Sequence, residues 1–171
     1  YINSKKAIAH CSGKSSLISA LCLLNLNKGD EIIMPTYICS SVYEAVIRSG
    51  GYPVLVDVNN YGVITPESVF NSLSKKTKAI ICAHIFGNIC DVDSLKQFNI
   101  PIIEDACQSF GLKMPDGRIA GNLGDLGIVS FHATKCLTSG EGGMLIINNQ
   151  KILDKFNKKS ENFQIEPMSD L

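Results

Sequence analysis

Apolar residues recur along this chain at two alternating periods, and the alternation outlines a fold. Leu17, Ala20, Leu21 and Leu24 fall at helical spacing and predict a helix over 15–26, stopped by Lys28-Gly29-Asp30. Residues 31–34 read as a short strand closed by Pro35. A second helix is predicted over 39–49, with Val42, Ala45 and Val46 on one face and Gly50-Gly51 at its end. Residues 53–58 form the next strand. Thr65 as N-cap, Pro66 at the first position and Glu67 in the first turn then open another helix. Strands follow at 78–84, 100–104, 127–132 and 144–148, with a short helix over 92–98 capped by Asp91. Continuous apolar strands separated by helices specify a three-layer αβα domain with a mostly parallel sheet covered on both faces. In such sheets ligands gather beyond the carboxyl ends of the strands. The places to search are therefore 35–41, 84–88, 105–108 and 132–143.

Composition narrows the picture. The 171 residues, 45% hydrophobic and 19% charged, suit one globular domain with a real core. Sixteen Lys+Arg balance sixteen Asp+Glu, and no basic block provides a footprint for nucleic acid. The longest apolar runs, such as 79–83, are too short to span a bilayer, and the opening Tyr1-Ile2-Asn3-Ser4-Lys5-Lys6 lacks the apolar stretch of a secretory signal. Seven cysteines (11, 22, 39, 82, 90, 107 and 136) are scattered without a CxxC pair. Several sit in apolar runs, Cys22 among them, so they read as buried reduced thiols in a cytoplasmic protein.

Three strand-end segments carry chemistry. Ser12-Gly13-Lys14-Ser15 leads into the first helix, where backbone N–H groups and the helix dipole can face a phosphate. Ser12 as a plain helix cap is the simpler reading. A P-loop, and with it an NTPase, needs glycine five residues before Gly13, where Ile8 stands. Asp105 ends an apolar strand, and a carboxylate there is costly unless a cation meets it. A protonated heteroaromatic nitrogen is one such cation; helix capping is the structural alternative. Ser130 and Lys135 lie in a run that, Lys135 apart, is free of Lys, Arg, Asp and Glu between Asp125 and Glu141. A serine can donate to phosphate, and a desolvated lysine can condense with an aldehyde. Together the three segments are the parts of a pyridoxal-phosphate (PLP) site: a phosphate anchor, a carboxylate for the pyridine nitrogen and a lysine for the aldehyde.

At these residues the sequence resembles the DegT/DnrJ/StrS-type sugar aminotransferases, which are fold-type I PLP enzymes. The likeness is carried by Ser12-Gly13, Gly29-Asp30-Glu31-Ile32-Ile33 with Pro35, residues 53–57, His84 with Gly87, and Glu104-Asp105-Ala106-Cys107-Gln108. It continues through Ser130-Phe131-His132-Ala133-Thr134-Lys135 and Gly140-Glu141-Gly142-Gly143. The resemblance implies a seven-stranded sheet with one antiparallel strand. It implies Lys135 as the Schiff-base lysine and later the proton carrier, and Asp105 as partner of the ring nitrogen. Gln108 would lie near the ring's phenolic oxygen. Ser130 and the backbone of Gly13 and Lys14 would hold the phosphate. The implied reaction moves an amino group from glutamate or glutamine to a nucleotide-linked keto-sugar, in a homodimer. Relatives that dehydrate instead have histidine at the Lys135 position, so lysine here favours amino transfer.

Two positions depart from the family pattern. Lys14 stands where a hydroxyl residue is usual; its N–H can still bind phosphate and its ammonium can add a charge. Cys39 stands where an aromatic residue stacks on the cofactor ring, and Tyr37 is a candidate to compensate. These departures are the support for a rival, a non-catalytic PLP- or sugar-binding regulator. The resemblance also implies a helix before Tyr1 and a smaller domain after Leu171, so residues 1–171 are expected to be the PLP-binding large domain of a longer chain.

Overall fold

The computed structural model describes residues 4–161. Its strands are β1 (Lys6–His10), β2 (Glu31–Pro35), β3 (Tyr52–Val56), β4 (Thr77–Ala83), β5 (Ile102–Asp105), β6 (Leu126–Ser130) and β7 (Gly143–Ile147). They form one sheet in the order β1-β7-β6-β5-β4-β2-β3. All neighbours from β6 to β3 pair in parallel, and β7 runs antiparallel between β6 and β1. This is the mixed seven-stranded sheet that the resemblance implied.

The strand period of two explains the layers. Ile32, Met34, Ala79 and Ile81 face one side and pack on α1 (Gly13–Leu23), α2 (Ser40–Arg48) and α5 (Gln150–Glu161) through Leu17, Leu21, Val42, Val46 and Ile152. Ile33, Ile80, Cys82 and Ile102 face the other side, against Val69 of α3 (Pro66–Phe70) and Val92 and Leu95 of α4 (Val92–Leu95). Thr65 caps α3 and Asp91 caps α4, each accepting a hydrogen bond from the backbone N–H three residues on. The helix at 92–98 is split: α4 ends at Leu95 and a 3₁₀ turn continues it over Lys96–Phe98.

The structure departs from the sequence pattern in three places. Helix α1 begins earlier and ends at a Leu24 C-cap, because Asn25 takes a left-handed φ of 52° and turns the chain before Lys28 is reached. Strand β1 and helix α5 lie outside the predicted elements. Cys22 is exposed, since Leu17, Leu21 and Leu24 occupy the inward stripe of α1. Only Cys82 and Cys90 are fully buried, Cys107 is partly so, and Cys11, Cys39 and Cys136 are exposed.

Candidate active site

A cleft of about 360 Å³ opens where the carboxyl ends of β2, β4, β5 and β6 meet the start of α1. Its walls draw on all four of the anticipated strand-end segments. Gly13, Lys14, Cys39, Asp105, Gln108, Ser130 and Lys135 all line it.

One end of the cleft is built to receive an anion. Ser12 caps α1: its Oγ accepts the Ser15 N–H at 3.1 Å, and the Ser15 Oγ accepts the Ser12 N–H at 3.0 Å. That reciprocal cap satisfies the third N–H of the helix. Those of Gly13 and Lys14 have no intrahelical acceptor. A Cβ added to Gly13 would stand 2.9 Å from the Ser130 Cβ and 3.3 Å from the Cys107 Sγ. Only glycine lets the helix start come this close to the end of β6, which sets two backbone donors beside the Ser130 hydroxyl. The cap and the phosphate readings of this segment are thus compatible. Ile8 lies in β1, paired with Leu145, so no glycine turn of the P-loop kind occurs there. The Lys14 ammonium turns to Glu44 on α2, at 2.7 Å. That hydrogen bond and charge hold the Glu44 carboxyl below its ordinary range.

Asp105 forms the floor and is 9% exposed. Its Oδ1 accepts the Cys107 N–H at 3.0 Å, and its carbonyl accepts the His84 N–H at 3.0 Å. Among the described residues it has no ion-pair partner. A carboxylate buried to that degree favours a cation beside it in the cleft. Burial, reinforced by the Asp105 charge, pushes the Cys107 thiol far up, so it stays protonated and is no nucleophile.

One strand position back, Glu104 points to the opposite face and is fully buried. One oxygen accepts the N–H groups of Leu123 and Gly124; the other accepts Gly121 N–H at 2.9 Å and faces His84 Nε2 at 2.8 Å. His84 Nδ1 accepts the Cys90 N–H at 3.1 Å, so Nε2 carries the ring proton and donates it to Glu104. The His84 carbonyl accepts the Ser109 hydroxyl at 2.7 Å. This cluster fixes the turns after β4 and β5 against each other. Residue-by-residue reading of the sequence missed it, and the available signal was a carboxylate inside an apolar strand.

Lys135 is half-buried at the rim, with its N–H donated to the His132 carbonyl at 2.9 Å. It also borders a neighbouring hollow of about 920 Å³, shared through Cys107, Gln108 and Thr134 and walled by Phe86, Phe110 and Leu112. Gln108 Oε1 accepts the Phe86 N–H at 3.2 Å. Cys39 is the N-cap position of α2, and its sulfur accepts the Ser41 hydroxyl at 3.1 Å. Tyr37 does not replace the missing aromatic wall: its ring packs on Phe86, centroids 6.2 Å apart, and does not line the cleft. His132 and Glu141 complete the rim at 3.7 Å from each other. Among the described residues no group of three His, Cys, Asp or Glu is placed to hold a metal ion.

Comparison with known proteins places this geometry. GDP-perosamine synthase of Vibrio cholerae is 32% identical over 160 residues, which are 91% of this chain and 43% of that protein. The solved aminotransferase of Psychrobacter cryohalolentis matches with a TM-score of 0.85 at 32% identity, over 99% of this chain and 47% of its own. NtdA of Bacillus subtilis, solved with its cofactor PMP bound, gives a TM-score of 0.85 at 29% identity, over 99% of this chain and 40% of its own. The chain thus spans less than half the length of each. The model of the DegT/DnrJ/EryC1/StrS aminotransferases matches residues 1–163. With a match over nearly its whole length, on a sheet whose strand ends gather these side chains, the chain belongs to the DegT/DnrJ/EryC1/StrS aminotransferase family.

Proposed function

We propose that residues 1–171 are the cofactor-binding large domain of a PLP-dependent aminotransferase that moves an amino group from glutamate or glutamine to a nucleotide-linked keto-sugar. The observation that carries this reading is the meeting, in one cleft, of a buried carboxylate without a cation, an anion-receiving helix start and a lysine. The residues fit the cofactor: Gly13, Lys14 and Ser130 would hold its phosphate by two backbone N–H groups and a hydroxyl. Asp105 would meet its ring nitrogen and Gln108 its phenolic oxygen. Bound there, PLP supplies an aldehyde for the amino group and a ring that takes up electrons from the bond to the migrating proton. Asp105 would keep the ring nitrogen protonated, and the Lys135 amine would condense with the aldehyde and serve as the base for the migrating proton. The name of the Vibrio cholerae relative supports a nucleotide-sugar acceptor, and the PMP of NtdA is the aminated form of the same cofactor.

The active form is a homodimer in the cytoplasm. Supporting this are seven free cysteines and large exposed apolar side chains, Phe86 in the hollow beside the cleft and Leu137 two residues after Lys135. Among the described residues no helix is long and apolar enough to cross a membrane. The test is to incubate the full-length protein with PLP, reduce with borohydride and map the labelled peptide. The expected adduct lies on Lys135. A label on another lysine, or none, rejects the site.

A further inference from the structure

The first turn of α1 contains an electrostatic conflict. Lys14 is the second residue of that helix, where the positive end of the macrodipole disfavours a cation. The turn has no acidic residue of its own. The compensating charge comes from Glu44 on α2, in a pair whose side chains are 33% and 48% exposed. A pair that open adds little net stability and changes partners at small cost. Lys14 also lines the cleft together with Gly13 and Ser130, and its own N–H, in the first turn, has no intrahelical acceptor. A cation at this position is explained if an anion sits there in the working protein.

We propose that the Lys14 ammonium is a phosphate-recognition group, and that Glu44 is a placeholder that yields it when a phosphate monoester binds at the start of α1. This rests on the PLP reading above and adds a side-chain contact to it. The ammonium then offsets the phosphate charge, where a hydroxyl residue would supply only a hydrogen bond. The source of the phosphate is the cofactor and not the substrate's diphosphate, because the Gly13 N–H and the Ser130 hydroxyl converge at the same end of the cleft.

The experiment compares full-length native protein with Lys14→Met, Glu44→Gln and the double variant. Each is titrated with PLP, with pyridoxal (the same aldehyde without phosphate) and, once PLP-loaded, with GDP. Lys14→Met should weaken PLP about tenfold, the scale of one charge-assisted hydrogen bond, and leave pyridoxal unchanged. Glu44→Gln should tighten PLP about threefold, because the competing exposed ion pair is removed. In the Lys14→Met background Glu44→Gln should have no effect. GDP affinity should be the same in all four proteins. Equal losses for PLP and pyridoxal in Lys14→Met, or weaker PLP binding in Glu44→Gln, overturn the proposal by making the pair a structural strap. Loss of GDP affinity alone overturns it by assigning the ammonium to the substrate. A native protein with no PLP affinity overturns the cofactor reading itself, whereas native affinity unmoved by Lys14→Met overturns only this inference.

Discussion

The end of β5 illustrates how neighbouring side chains are committed to different tasks. Three side chains crowd the end of β5, yet each is committed differently: Glu104 is turned away and saturated, Cys107 is held as a thiol, and Asp105 faces the cleft. An amide at position 105 still accepts the Cys107 N–H, so the local turn should persist. It cannot supply the negative charge that keeps a ring nitrogen protonated, and without that proton the ring is a poor electron sink. Asp105→Asn should therefore retain its circular dichroism and thermal midpoint while losing turnover by roughly a hundredfold or more, the scale of removing one aimed charge. Turnover close to native in this variant would remove Asp105 from the assigned role. The site was legible at this scale because the chemistry demands particular residue types just past apolar strands, as at Asp105, Ser130 and Lys135. The Lys14–Glu44 pair was not legible, because its members are on separate helices and no periodicity joins them.

Among elements, legibility followed burial. The helices and inner strands announced themselves through apolar repeats, whereas β1 is an edge strand in which only Ile8 and His10 are partly covered. Its KAIAH sequence has no repeat for a pattern to detect. Helix α5 is different: Ile152 and Phe156 are one turn apart, and the Asn149 side chain accepts from Lys151 and Ile152 N–H, so its signals were present. The Glu104 cluster was invisible because, His84 apart, the donors described above are the backbone N–H groups of Gly121, Leu123 and Gly124, which have no side-chain signature. Its energetic weight is testable. In Glu104→Gln, whichever way the amide is turned, its NH₂ meets two donors: Leu123 and Gly124 on one side, or Gly121 and His84 on the other. The expected cost is on the order of 3 kcal/mol, as for breaking a buried polar network. It should be read as a lower urea midpoint with an unchanged slope. A midpoint within error of native would mean that the turn after β5 does not depend on this carboxylate.

For the whole molecule, the chain covers 43%, 47% and 40% of the relatives compared, and its cleft lies at the strand ends. Phe86, in the hollow beside the cleft, is 72% exposed, and Tyr37 and Leu137 are 55% and 56% exposed, so large apolar side chains face solvent on this chain. A second copy of the protein and further chain are the proposed cover. Closing such a site excludes water and strengthens every charge interaction inside it, including those of Asp105 and Lys135. On that proposal residues 1–171 on their own would provide one wall of the enclosure. They should fold, since both faces of the sheet carry buried clusters, but they should bind PLP weakly and not transfer amino groups. The exposed apolar side chains should also drive self-association. The check is to purify residues 1–171, measure mass by light scattering, titrate PLP by its visible absorption band, and assay transfer from glutamate to a nucleotide-linked keto-sugar beside the full-length protein. Absent turnover with concentration-dependent association is the expected result. Full turnover by a monomer of this length would show that these strand ends suffice and that neither a partner copy nor further chain completes the site.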